Sequence, residues 1–272
     1  MDNGAVRPAA PEGQGGAGLL RVSFEDGVGV LTLDNPRRRN ALCAGLLGEI
    51  VAALSSLEAK GARAAILRAA PAGGVWSAGH DVGELGPGLD MLGDDDPLPR
   101  ALRAMRAAAF PILAQVRGSV WGAGLELALA SDLVLADESA SFAMTPAALG
   151  LPYHAAGLRH FVARLPVNRI KELFFTAEPI DAETALAWGL VNRLCAAAEL
   201  EEKTLALARL IATRAPDAIA LVKEELRLLV EEGAATEALA HVERRRRALL
   251  GGADYAEGLA AFRAKRRPRF GR

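Results

Sequence analysis

Cysteine is scarce: the 272 residues hold two, Cys43 and Cys195, far apart and without a CxxC spacing. That excludes a disulfide scaffold and a thiolate zinc site. Aromatic residues make up only 5%, so Ala and Leu fill the apolar quota, a bias that favours helices. Neither sign of charge dominates. With 32 Lys and Arg against 33 Asp and Glu, the net charge of -1 offers no overall basic field for nucleic acid. Any contact with a polyanion must be local. Long apolar runs are missing as well. The longest uncharged stretch, Ser139 to Leu158, contains Pro146, Pro152, Thr145 and His154, and is no lipid-facing helix. The N-terminus lacks the basic start and apolar centre of a secretory signal. Residues 1–18, rich in Gly, Pro and Ala, read as a flexible leader, and the cytoplasm is the expected location.

Hydrophobic residues at 51% and charged residues at 24% describe a chain that folds and has enough length for a real core. LLRVSFE and VGVLTLDNP flank Asp26-Gly27 and predict a hairpin. A helix is expected from Asn40 to about Lys60, then the buried strand AAILRAA, then a glycine-dense loop from Pro71. A helix near Leu98 to Ala109 leads into the strand PILAQVRG, the turn SVWGAG, the helix LELALAS and the strand DLVLADE. Strands and helices alternate, an α/β layout in which glycine-rich turns sit where strands end and helices begin. The body is expected over residues 19–197. From 198 to 272 the pattern turns helical, with only VNRLC as a last strand before it. In PDAIALVKEELRLLVEEG, Ile219, Val222, Leu226 and Leu229 make one apolar face. This region reads as a module for oligomerisation or for closing over the body.

Several motifs invite chemistry. Gly13, Gly15 and Gly18 satisfy GxGxxG, but they precede the first strand and open no helix, so no dinucleotide site follows. His154 and His160 fall on different helix faces, and no metal site is expected. His241 and the run Arg244–Arg247 fit a solvated helix face. In SAGHDVGEL, Gly79 either turns the His80 N–H toward a cavity as an oxyanion donor or belongs to an ordinary surface loop. In SVWGAGLELALASD, Gly122 and Gly124 bracket Ala123 where helix N–H groups lack partners and can face developing negative charge. Glu126, within that helix's first turn, serves either local structure or acid–base catalysis.

Two donor turns after two α/β strands form a possible oxyanion pair. SAGHD, GSVWGAGLELALASD and ALAWGLVN together resemble the crotonase (enoyl-CoA hydratase/isomerase) superfamily, from about Val22 to Phe270. That resemblance implies an α/β spiral of ββα units with a helical C-terminal trimerisation region, assembled as a homotrimer or hexamer. It implies an acyl-CoA thioester substrate whose oxygen is held by the N–H groups of His80 and Ala123, and no cofactor. Ala78, Gly79, Asp81 and Gly122 fall in the two matching turns, Met144 and Thr145 in the pocket segment, and Phe262 and Lys265 in the part that meets CoA, often from a neighbouring subunit. Glu126 aligns with the first of two hydratase glutamates. The second falls at Pro146, which cannot move a proton. FAMTPAALGLPY, KELFFTAEPI, KEELR and AFRAKRRPRF bring the chain nearer to the branch that decarboxylates methylmalonyl-CoA to propionyl-CoA, where Tyr153 matches a tyrosine positioning the departing carboxylate. Enoyl-CoA hydration or isomerisation through Glu126 alone, and acyl-CoA binding without turnover, are the competing expectations.

Overall fold

The structure, a computed structural model, describes residues 18–71, 74–84, 96–149, 153, 155–231, 241, 244–245, 248, 252–266 and 268–271. Residues 1–17 of the expected leader and the glycine-rich loop beyond Glu84 lie outside the described residues, as do His154, Arg246 and Arg247.

The chain opens with the hairpin. Strands β1 (Leu20–Glu25) and β2 (Val28–Leu33) pair antiparallel from Leu20–Leu33 to Glu25–Val28. Asp26 and Gly27 both take positive φ, 50° and 76°, the turn whose twist matches the strands it joins. From β2 onward the large sheet is parallel. β3 (Ala64–Ala69), β5 (Ile112–Val116), β7 (Leu133–Asp137) and β10 (Arg193–Cys195) complete the order β1-β2-β3-β5-β7-β10. Buried Ala64, Ala65, Ile66, Leu113 and Val134 explain why central strands read as continuous apolar runs.

A second, smaller sheet was not foreseen. β4 (Val75–Ser77), β6 (Ser119–Trp121), β8 (Ser141–Ala143) and β9 (Ile180–Asp181) pair in the order β4-β6-β8-β9. Each has two or three residues, too short for a two-residue alternation to register. SVW, expected as part of a turn, is therefore strand β6. The two sheets grow together, because β3 is followed by β4, β5 by β6 and β7 by β8. These are the ββα units of the expected spiral.

Helix α1 spans Ala44–Ala59, four residues later than expected. Asn40 has φ 52°, its Oδ1 accepts from the Asn35 N–H at 2.8 Å, and its Nδ2 donates to the Trp76 carbonyl at 3.1 Å. That stitching keeps residues 40–43 out of the helix and ties them to β4. Helix α2 (Pro97–Ala107) packs on α1, and α3 (Ala123–Leu129) packs on both sheets and α2. Then come α4 (Ala155–Val162), α5 (Val167–Thr176), α6 (Ala182–Trp188), α7 (Leu200–Ala212), α8 (Pro216–Glu231) and α9 (Ala253–Arg263). All described strands end by Cys195, and the described elements after it are helical.

The apolar face expected for α8 needs correcting. Leu221 and Leu228 are the buried pair, whereas Val222, Leu226 and Leu229 are each more than half exposed. The helix carries two apolar stripes, and only the one seven residues apart meets the core. Between them Lys223 reaches inward, donating to the Met105 and Phe110 carbonyls at 3.1 and 3.0 Å and pairing with Asp132 at 2.8 Å.

Candidate active site

The segment Ala78–Asp81 leaves β4 as a short parallel partner of residues 39–42. Ala78 N–H donates to the Arg39 carbonyl at 2.9 Å, Leu42 N–H to the Gly79 carbonyl at 2.8 Å, and Asp81 N–H to the Leu42 carbonyl at 3.1 Å. In such a bridge the residues on either side of His80 bond to Leu42, so the amide of His80 itself points the other way. No described residue accepts from it. Gly79 is the hinge of this turn, with φ 87°. A Cβ there would lie 2.7 Å from the Trp121 carbonyl oxygen and 3.4 Å from the Ala123 nitrogen. The two donor turns are thus in direct backbone contact, and only glycine allows it.

The second turn is set by Gly122, at φ 49° and ψ -120°, whose N–H donates to the Ala143 carbonyl at 2.9 Å. Leu125 and Glu126 return their amides to the Gly122 carbonyl, while the Ala123 N–H has no acceptor among the described residues. Ala123 lies inside α3 and is not among the positive-φ residues, so its methyl group introduces no backbone strain. The expected pair, His80 and Ala123, is therefore brought together with both amides available.

Glu126 lies one turn into α3, 4% exposed. Burial pushes its carboxyl up to about 7, opposed by the neighbouring Tyr153 hydroxyl and by the positive charge of Arg106. Tyr153 is moved upward by burial and, next, by the Glu126 charge, so its hydroxyl stays neutral. Its ring packs edge-on against Phe174 at 4.9 Å and Phe161 at 6.4 Å, which fixes the hydroxyl beside the carboxyl. Thr145 stands over the second turn: its Oγ1 would be 3.7 Å from a Cβ at Gly122. Pro146 is buried.

Other expected site residues are placed differently. Met144 is fully buried and belongs to the apolar core. Asp81 is occupied by its own loop: the Gly83 amide at 3.0 Å and Arg38 at 2.6 Å hold its carboxyl below the usual range. Lys265 is exposed and ends α9 at φ 52°, while the side chain of Phe262 lies outside the described residues. The tail after Lys265 returns to the start of β3, where Arg63 donates to the Phe270 carbonyl at 3.1 Å. No described contact brings Lys265 to the donors of its own chain.

The family model for enoyl-CoA hydratase/isomerase matches residues 23–272. The chain belongs to this family, the crotonase superfamily. Within the family it is 40% identical over 245 residues to the methylmalonyl-CoA decarboxylase of Escherichia coli (strain K12), covering 89% of this chain and 94% of that one. It is 33% identical over 254 residues to a probable enoyl-CoA hydratase of Rhizobium meliloti (strain 1021), covering 92% and 97%. Among solved structures, a methylmalonyl-CoA decarboxylase complexed with 2S-carboxypropyl CoA superposes with TM-score 0.78 at 39% identity, covering 94% of this chain and 99% of that one. An enoyl-CoA hydratase of Mycobacterium smegmatis gives TM-score 0.84 at 28% identity, covering 93% and 99%.

Sequence reasoning passed over three cations of this family member. Arg37 and Arg39 are exposed on the segment that holds Ala78, and the sequence reading gave them no role. Arg106, in α2, reads as one more charge on an amphipathic helix, yet its Nε and Nη1 are buried. Nothing in its spacing signals that, because an arginine stem crosses apolar surface as readily as it covers it. No group of three or more metal-ligating side chains occurs among the described residues, and no described helix is long and apolar enough to cross a membrane.

Proposed function

We propose that this crotonase-superfamily enzyme decarboxylates a malonyl-type acyl-CoA thioester, with methylmalonyl-CoA to propionyl-CoA as the first candidate. One observation carries the reading: two available amides abut at Gly79, the helix that the second one opens carries buried Glu126 in its first turn, and Pro146 stands where a hydratase would hold a second glutamate. The identity to a decarboxylase supports it.

In this reading the thioester oxygen sits between the His80 and Ala123 amides. The bond from the α-carbon to the carboxylate breaks, its electron pair moves into the thioester as an enolate, and carbon dioxide leaves. The two N–H groups meet the charge where it develops on oxygen. Tyr153, neutral and braced by two phenylalanines, holds the leaving carboxylate out of the thioester plane, so that the breaking bond overlaps the carbonyl π system. Glu126 then gives its proton to the α-carbon and recovers one from water. A pKa near working pH suits that task. The thioester itself takes the electron pair, so the reaction as written calls on no metal or organic cofactor. Thr145, Gly122, Ala78 and Gly79 shape the acyl pocket. The CoA phosphates need local cations, which Arg37, Arg39 and a neighbouring copy's tail offer. Exposed Val222, Leu226, Leu229 and Val230 on α8 support assembly with further copies of this chain.

Incubation with methylmalonyl-CoA and, separately, crotonyl-CoA tests the reading. Propionyl-CoA and carbon dioxide from the first, with no hydration of the second, are expected. A hydrated product from crotonyl-CoA alone makes the chain a hydratase, and binding of both without turnover makes it a binding protein. Either result overturns the proposal.

A further inference from the structure

The peptide unit between Gly79 and His80 decides whether the first donor exists. It is trans, so its carbonyl and its N–H point opposite ways. With the carbonyl bonded to the Leu42 amide at 2.8 Å, the His80 N–H is turned outward. Rotating that one unit would put the carbonyl oxygen where the donor stands. Glycine lacks the Cβ that would hinder such a rotation, so neighbouring bonds must hold the unit still. The turn that follows His80 supplies them. The Gly83 amide donates to Oδ1 of Asp81 at 3.0 Å, and the Glu84 amide to the Asp81 carbonyl at 2.9 Å, so these residues form one piece. That piece is fixed to residues 38–44 at three points. The Asp81 amide donates to the Leu42 carbonyl at 3.1 Å, Arg38 pairs with Oδ2 of Asp81 at 2.6 Å, and the Ala44 amide donates to the Glu84 carboxylate at 2.8 Å. The last bond also caps α1, whose N-cap residue, Cys43, supplies no side-chain acceptor. Asn40 in turn fastens this segment to β4, through the Asn35 amide and the Trp76 carbonyl.

We propose that Arg38 is a positioning residue, which through Asp81 clamps the turn after His80 and keeps the Gly79–His80 peptide from rotating, a role that rests on the reading in which the His80 amide holds a thioester oxygen. Of the three bonds across the loop, the Arg38 pair is the one made by a side chain to the residue next to the donor. Asp81 is 7% exposed and has both carboxylate oxygens engaged, whereas the Arg38 side chain is largely in solvent. An ion pair with one exposed partner adds little to global stability. Its effect falls instead on the orientation of one amide, so the fold and the donor separate in experiment.

Propionyl-CoA carrying ¹³C at the thioester carbonyl, bound to the protein and read by difference infrared spectroscopy, tests the clamp. Two N–H donors draw electrons onto the thioester oxygen and lower the carbonyl stretch. In Arg38→Met a second band, between the wild-type and free-ligand positions, is expected. Arg38→Lys, which keeps the charge, should restore the single band. Asp81→Asn should shift the band as Arg38→Met does, and the double variant no further than Asp81→Asn alone. Where the Met variant does not fold, Arg38→Ala takes its place. With methylmalonyl-CoA, kcat of Arg38→Met should fall by roughly tenfold with KM nearly unchanged, part of the loss that follows removal of a whole oxyanion donor. A wild-type band in a folded Arg38 variant overturns the clamp and leaves the oxyanion pair standing. Additive shifts in the double variant overturn it too, because Arg38 would then not act through Asp81. A thioester that does not bind wild type, or whose band stays at the free position when bound, overturns the oxyanion reading itself and the clamp with it.

Discussion

Glu126 is where burial and chemistry meet in one side chain. Its carboxyl titrates near 7 in the fold and near 4.5 when free, so between those values the folded state binds the extra proton. Stability therefore falls as pH rises from 4.5 to 7, and above 7 the buried carboxylate is a standing penalty. Glu126→Gln removes that penalty. The variant should be more stable than wild type at pH 8 by on the order of 2 to 3 kcal/mol, with the gain fading toward pH 4.5. Urea unfolding at both pH values decides it, and an equal difference at each would mean that Glu126 does not titrate as described. The same variant should turn over more slowly while still binding thioesters. For Tyr153, the test separates orientation from packing. Tyr153→Phe should lower decarboxylation by roughly tenfold to a hundredfold and barely change propionyl-CoA binding, because propionyl-CoA has no carboxylate to orient. Equal losses in both would reduce Tyr153 to a packing residue. The sequence placed Glu126 at a helix start and Tyr153 in a family motif. Neither the burial of the first nor the bracing of the second by Phe161 and Phe174 was visible there, because both depend on helices α4 and α5 folding back.

The donor pair depends on two turns and the short strands that aim them. The glycines of SAGHD and GSVWGAG marked where the turns fall, since glycine at a strand end carries its own conformational signal, although SVW is strand β6 and not part of the turn. The strands β4, β6 and β8, which carry the turns into contact, went unread because three residues display no period. Helix α8 failed differently: its heptad-like apolar pattern was real, but two stripes compete and sequence does not say which one the core takes. Gly79→Ala tests the contact between turns. An alanine there must take φ 87° and push its Cβ against the Trp121 carbonyl. In protein that still folds, turnover should drop by roughly a hundredfold to a thousandfold, the usual loss when one oxyanion donor is displaced. Wild-type turnover would show that the two amides do not act as a pair.

Helix α8 is tied to the α/β body through Lys223, whose side chain is 10% exposed and meets three acceptors. Lys223→Met would leave Asp132 and two carbonyls without their cation, and should destabilise the chain by about 3 to 5 kcal/mol in a urea titration. A loss below 1 kcal/mol would make the contact incidental. Lys265 concerns a different property, attraction of CoA phosphates to a molecule with no net positive field. Lys265→Ala should raise KM for a CoA thioester several-fold at low salt, leave kcat nearly unchanged, and differ less from wild type at high salt. An unchanged KM at low ionic strength, with assembly intact, would assign the phosphates to other cations such as Arg37 and Arg39.

Both sheets add their strands strictly in chain order, β1-β2-β3-β5-β7-β10 in one and β4-β6-β8-β9 in the other. A chain emerging from the ribosome can therefore lay each new strand against one already present, except β1 and β4, which open the two sheets and wait for β2 and β6. The two donor turns and the strand that supports the second, β8, are complete by Ala143, eighty residues before Lys223 is made. The nascent chain holds both turns in outline while the helix that carries Lys223 is still being synthesised.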